Sequence, residues 1–141
     1  MAALKKRYYP KIAEEVYLAT LDNGMSLSII KKKGFIEKAA FLSTNFGALD
    51  NRFYIDGKLQ TYPAGIAHFL EHKLFEDDQG RDVTLDFVKL GADVNAFTTL
   101  DRTTYYFSTI DHFEESLELL LKFTSEFTSS EDTVNHEKRI I

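Results

Sequence analysis

No cysteine occurs among the 141 residues. That excludes disulfides and thiolate metal sites, and it fits a reducing compartment. No stretch approaches the roughly 18 consecutive apolar residues a membrane helix requires, so no membrane span is expected. The basic start, Lys5-Lys6-Arg7, has no apolar segment behind it and does not form a secretory signal. Glu14 and Glu15 follow too soon for a mitochondrial transit peptide, which leaves the cytoplasm as the default location. Basic clusters are scarce as well. The formal charge is −5 and Lys31-Lys32-Lys33 is a short run beside a strand end, so no nucleic-acid partner is expected. Internal repeats and low-complexity segments are absent. What remains is a chain of 44% apolar composition, long enough for one domain with a real core.

The most informative stretch is His68-Phe69-Leu70-Glu71-His72. On a helix, residues four apart lie one above the other, so His68 and His72 can reach the same ion. Glu71 falls on the same stripe. This is the H-x-x-E-H order of inverzincins, the reverse of H-E-x-x-H. Zinc with an open coordination position lowers the pKa of water to about 7, and an adjacent carboxylate can take the proton. Pro63-Ala64-Gly65 offers a helix start, since proline is tolerated in a first turn. Ile66, Leu70 and Leu74 form an apolar stripe flanked by Ala67 and Phe69, with only Lys73 interrupting it. The helix is therefore expected to be largely buried. His68, Glu71 and His72 then need partners on the opposite sector, and a metal supplies one.

Around this helix the pattern alternates between strands and helices. Residues 16–21 and 25–31 read as a hairpin turned at Asp22-Asn23-Gly24, and residues 1–15 as a lead-in. Residues 38–46 form a third strand, and residues 50–60 a polar surface loop. A charged loop over 76–81 precedes a short helix over 82–90, which Gly91 ends. Residues 94–98 and 103–109 pair across Thr99-Leu100-Asp101-Arg102, with Tyr105, Tyr106 and Phe107 read mainly as core. Asp111 and Glu114 suggest a capping box for a helix to about Phe127, with Phe113, Leu117, Leu120, Leu121, Phe123, Thr124 and Phe127 on its core face. A further helix from Glu131 still runs at Ile141 without a C-cap, which reads as a domain cut short. The fold class is α+β: a mainly antiparallel sheet with helices packed on it.

With these elements placed, the chain resembles the N-terminal part of the pitrilysin–insulysin–mitochondrial processing peptidase family of zinc peptidases. The match runs over residues 16–141, through Leu21-Asp22-Asn23-Gly24-Met25, the helix from Gly65 to Phe75, Gly91-Ala92-Asp93-Val94-Asn95-Ala96-Phe97-Thr98 with Thr103-Thr104-Tyr105-Tyr106-Phe107, and the segment from Thr133 to Ile141. Within that family, His-Phe-Leu-Glu-His-Lys-Leu-Phe and Asn45-Phe46-Gly47 look most like a Gram-positive bacterial branch.

The resemblance implies an incomplete lobe of a zinc metalloendopeptidase, with one zinc ion per catalytic lobe. His68 and His72 would bind the metal and Glu71 would be the general base. Asn95 and Ala96 would hold the backbone of a peptide substrate. A second lobe of the same chain, or a homologous subunit, would close over that substrate. The family's third ligand would fall near position 144, so the segment itself is expected to be inactive, with Glu137 as a supporting acid. Glu76 shares the histidine stripe but lies about 12 Å along the axis from His68, too far for one ion. His112 and His136 lie outside any ligand spacing. Two alternatives remain: a non-catalytic or partner-dependent peptide-binding subunit of a processing pair, and a structural domain whose histidines are satisfied core groups. Metal content separates the last from the others.

Overall fold

The computed structural model describes residues 3–77 and 79–127, and the chain divides into two units, Met1–Ile36 and Glu37–Ile141. The first unit is a three-stranded antiparallel sheet in the order β1-β2-β3, from β1 (Lys5–Tyr9), β2 (Glu14–Thr20) and β3 (Ser26–Ile30). The expected turn joins β2 to β3: Gly24 takes a φ of 86°, and the Met25 amide donates to Asn23 Oδ1 at 3.0 Å. The lead-in is itself structured, because β1 pairs with β2 from Lys5↔Leu18 to Tyr9↔Glu14. Its side chains are mostly exposed, with Lys6 on Glu15 at 2.6 Å, so no hydrophobic alternation marks it in the sequence.

The second unit is built on a sheet of order β4-β8-β7, formed by β4 (Lys38–Thr44), β7 (Ala92–Thr98) and β8 (Thr103–Thr109). All its pairings are antiparallel, and β7 pairs with β8 alone among the described strands. The sheet carries its helices on the face where Tyr105 and Phe107 point. Helix α1 (Ile66–Leu74) lies against β7 and β8, α2 (Thr84–Lys89) against β7, and α3 (Phe113–Ser125) against β8 and β4. Between them sits a core of Val83, Phe87, Ala92, Tyr105, Phe107, Leu120 and Phe123. Its rings meet edge to face or tilted, as Phe87 does with Phe123 at 5.9 Å between centroids. The architecture is α+β, as the alternation of patterns predicts.

Several local expectations change. Residues 50–60 are not an irregular loop: β5 (Arg52–Ile55) and β6 (Lys58–Thr61) form a hairpin. Its turn is Asp56-Gly57, with positive φ at both residues (49° and 74°), which is the two-residue geometry that fits strand twist. The hairpin is mostly exposed, so composition hides it. Helix α1 begins after Gly65, which takes a φ of 88°, so Pro63 precedes the first turn instead of occupying it.

No capping box opens α3. Its cap is His112 in the left-handed conformation, without a side-chain cap bond, and the Thr109 hydroxyl donates to the Asp111 carbonyl. The buried face of α3 is Ser116, Leu120 and Phe123, while Leu121 and Phe127 are exposed. Ser116 can be buried because its hydroxyl donates to the His112 carbonyl at 2.8 Å, one turn earlier. The helix expected from residue 131, with His136 and Glu137, lies outside the described residues. No described helix is long and apolar enough to cross a membrane.

Candidate metal and peptide site

Helix α1 presents its motif as the spacing requires. His68 and His72 stand one turn apart with ring centroids 4.6 Å apart and nearly perpendicular, and their Nε2 atoms are 3.0 Å from each other. Two nitrogens bound to one tetrahedral zinc at 2.0–2.1 Å would be about 3.3 Å apart, so the pair fits such an ion with little movement. Histidine nitrogens and a carboxylate oxygen are the donors zinc takes where thiolates are absent, as they are here. His68, Glu71 and His72 bring their ligand atoms within 4.8 Å of one another, and they are the cluster of metal-binding type among the described residues.

Burial separates the three. His68 is exposed, His72 is half-buried and Glu71 is only 8% exposed. The helix is thus less buried than its composition suggests, and it buries Ala67, Glu71 and Lys73. A buried carboxylate requires a donor. Thr98, the last residue of β7, donates its hydroxyl to Glu71 Oε2. Tyr105 lies close by, and its phenol is held above its ordinary range first by burial and then by the Glu71 charge.

Lys73, the apparent interruption of the apolar stripe, is among the most buried side chains of the second unit and pairs with Glu76. Glu76 is therefore committed to this ion pair, in keeping with its distance from the histidines. The loop after the helix is closed by the Glu76↔Asp82 bridge and by Asp77, which accepts from the amides of Gln79 (3.0 Å) and Arg81 (2.8 Å).

Beside the motif opens a cleft of about 410 Å³, lined by Glu71, His72, Phe75, Glu76, Gly80, Asp82, Thr84, Val94 and Asn95. Asn95 is exposed on β7, at the free edge of the sheet among the described residues, and its Oδ1 accepts from the Ala96 amide at 2.8 Å. The structure thus brings His68, Glu71, His72 and Asn95 to one place, with Ala96 next to Asn95 on the same strand. Glu137 lies outside the described residues. Thr98 and Lys73 were not legible as site residues. The one signal for Thr98 was its position at the end of a β-rich run, immediately before a turn.

Residues 60–141, which include the motif and β7, match the family model described as Insulinase (Peptidase family M16). The chain belongs to peptidase family M16. It is 44% identical over 140 residues to the uncharacterized zinc protease YmfH of Bacillus subtilis, covering 98% of this chain and 32% of that protein. It is 32% identical over 122 residues to an insulin-degrading enzyme homolog of Dictyostelium discoideum, covering 83% of this chain and 12% of that one. Among solved structures, that of an M16-like peptidase from Alicyclobacillus acidocaldarius superposes with a TM-score of 0.84 at 36% identity, over 90% of this chain and 30% of that chain. The expected family is thus established, and the similarity to a Bacillus subtilis protein agrees with the expected Gram-positive branch. The chain spans about a third of the M16 relative it resembles at 44% identity.

Proposed function

We propose that the protein carrying this chain is a zinc-dependent endopeptidase of the M16 kind, acting on peptides in the cytoplasm, with Glu71 as the general base. The observation that supports this reading best is the convergence of His68 Nε2 and His72 Nε2 to 3.0 Å beside a buried Glu71. His68 and His72 would hold the ion, and the remaining protein ligand would lie outside the described residues, where the resemblance puts it near position 144. Zinc supplies Lewis acidity: it polarises a scissile carbonyl and brings the pKa of water to about 7.

The chain's own groups do the rest. Glu71 accepts the proton of the attacking water and returns it to the leaving amine. Burial of Glu71 and the Thr98 hydroxyl fix where that proton goes. The free edge of β7, at Asn95 and Ala96, binds a peptide as an added strand through main-chain hydrogen bonds and leaves side-chain choice to the cleft. Half of a closed chamber is then required from a second lobe or subunit, and residues 1–141 by themselves have little or no peptidase activity.

The test is zinc content together with turnover in the full protein. Glu71→Gln is expected to keep its zinc and lose most peptide hydrolysis, whereas His68→Ala and His72→Ala each lose zinc and activity together. Retained hydrolysis in Glu71→Gln would overturn the assignment of the base. Full zinc in both histidine variants would overturn the metal site.

A further inference from the structure

We infer that Thr98 is a positioning residue for the reaction, holding one oxygen of the Glu71 carboxylate so that the other faces the proton it must take; this rests on the reading of Glu71 as base. Glutamate has three rotatable side-chain bonds, so a helix backbone alone does not fix its carboxylate. Among the described residues Thr98 is the one hydrogen-bond donor to that carboxylate. The two residues are 27 positions apart, on different elements. The contact is therefore a product of the fold and not of helix spacing.

Thr98 is in turn held in place. It is the register partner of Thr103 at the tip of the β7–β8 hairpin, and their hydroxyl oxygens are 3.3 Å apart. Each threonine has a single hydroxyl hydrogen. Thr103 donates its own to the Phe46 carbonyl at 2.8 Å, and Thr98 is left to donate to Glu71. Both side chains are β-branched and stiff at χ1, so neither hydroxyl swings away cheaply. The Phe46 end is anchored as well: the Ala48 amide donates to the Thr99 carbonyl at 2.8 Å and the Leu49 amide to the Leu100 carbonyl at 3.0 Å. The segment after β4 thereby clamps the hairpin tip, which clamps Glu71.

A base works through geometry, and a displacement of about 1 Å can cost about a hundredfold in rate. Loss of one hydrogen bond to a charged group corresponds to about tenfold to a hundredfold. Thr98→Val keeps the shape and the strand propensity and removes only the hydroxyl. In the zinc-loaded full protein it is expected to lower kcat by about tenfold or more, with KM within about twofold and zinc content unchanged. Thr98→Ser, which restores the donor, is expected to recover most of the rate.

A crystal structure of metal-free Thr98→Val gives a readout that does not depend on activity: the Glu71 carboxylate should leave its present position. Wild-type kcat in Thr98→Val, alongside an inactive Glu71→Gln, would overturn the positioning role and leave the base intact. Equal loss in Thr98→Ser and Thr98→Val would also overturn it, since the methyl packing would then be what matters. An active Glu71→Gln would remove the base and this inference together.

Discussion

Lys73 is 1% exposed, and its ammonium rests on the carboxylate of Glu76, three residues further along and 28% exposed. The two partners are therefore not equivalent. Removing the glutamate strands a buried cation, whereas removing the lysine leaves a carboxylate that water can reach. Breaking a buried pair from the buried side's partner costs about 3–5 kcal/mol, less whatever water recovers at the exposed end. We expect Glu76→Ala to destabilise by about 2–4 kcal/mol, and Lys73→Met, which keeps the packed stem, by about 1 kcal/mol. Urea unfolding of the two variants checks the order, and equal losses would refute it.

Gly47 is required by space, not by dihedral angle. A Cβ there would stand 2.4 Å from the Arg102 nitrogen and 2.6 Å from the Asp101 nitrogen, both backbone atoms that cannot give way. Gly47→Ala must therefore push the segment after β4 off the β7–β8 turn, at a cost of about 1–3 kcal/mol. The same shift loosens Thr103, Thr98 and Glu71 in sequence. Turnover should fall further than stability alone explains, with zinc content kept. A thermal melt and a zinc assay on the same sample test this, and an unchanged melting temperature would contradict the close approach.

Acid should open the loop after α1. The Asp77 carboxyl is held below the ordinary 3.8 first by the Arg81 amide and then by the Gln79 amide and the Arg81 guanidinium. The Asp86 carboxyl is held low first by Lys89 and then by Arg81. Groups whose folded pKa is depressed contribute stability that is fully present above about pH 4 and is lost as the pH falls through the depressed values. Arg81→Ala should accordingly differ most from the parent near neutral pH, with the gap closing as acid neutralises both carboxylates. Melting temperature against pH for the two proteins measures it. A gap that widens in acid would reverse the sign.

The clustering of the candidate residues is legible in the sequence because it is local. Residues 68, 71 and 72 share one helical stripe, and periodicity alone brings them together. The strand pair β7–β8 was legible for the same reason, through its turn and its β-rich runs. Contacts between distant segments left no such trace. Thr98 reaches Glu71 only because α1 packs on the hairpin, and nothing in the alternation of β7 singles out its last residue. Lys73 reads as a break in the apolar stripe because hydropathy counts the ammonium and ignores the long apolar stem. The exposed strands β1, β5 and β6 failed for the opposite reason: they are held by backbone pairing and turn geometry, and bury too little to pattern their side chains.

Helix α1 has nine residues, and two of its three buried side chains are ionisable. Isolated helices below about 12–15 residues are marginal in water, so this one depends on what it packs against. Its stability comes from the hairpin it leans on, through Thr98, and from the pair that closes the following loop. The two histidines thus stand on an element whose end is tied to the aromatic core, through Leu74 and through the Phe75 ring on Tyr105 and Phe123. A bound ion bridging His68 and His72 would add a second tie to that anchor, and is expected to slow hydrogen exchange of this helix's amides.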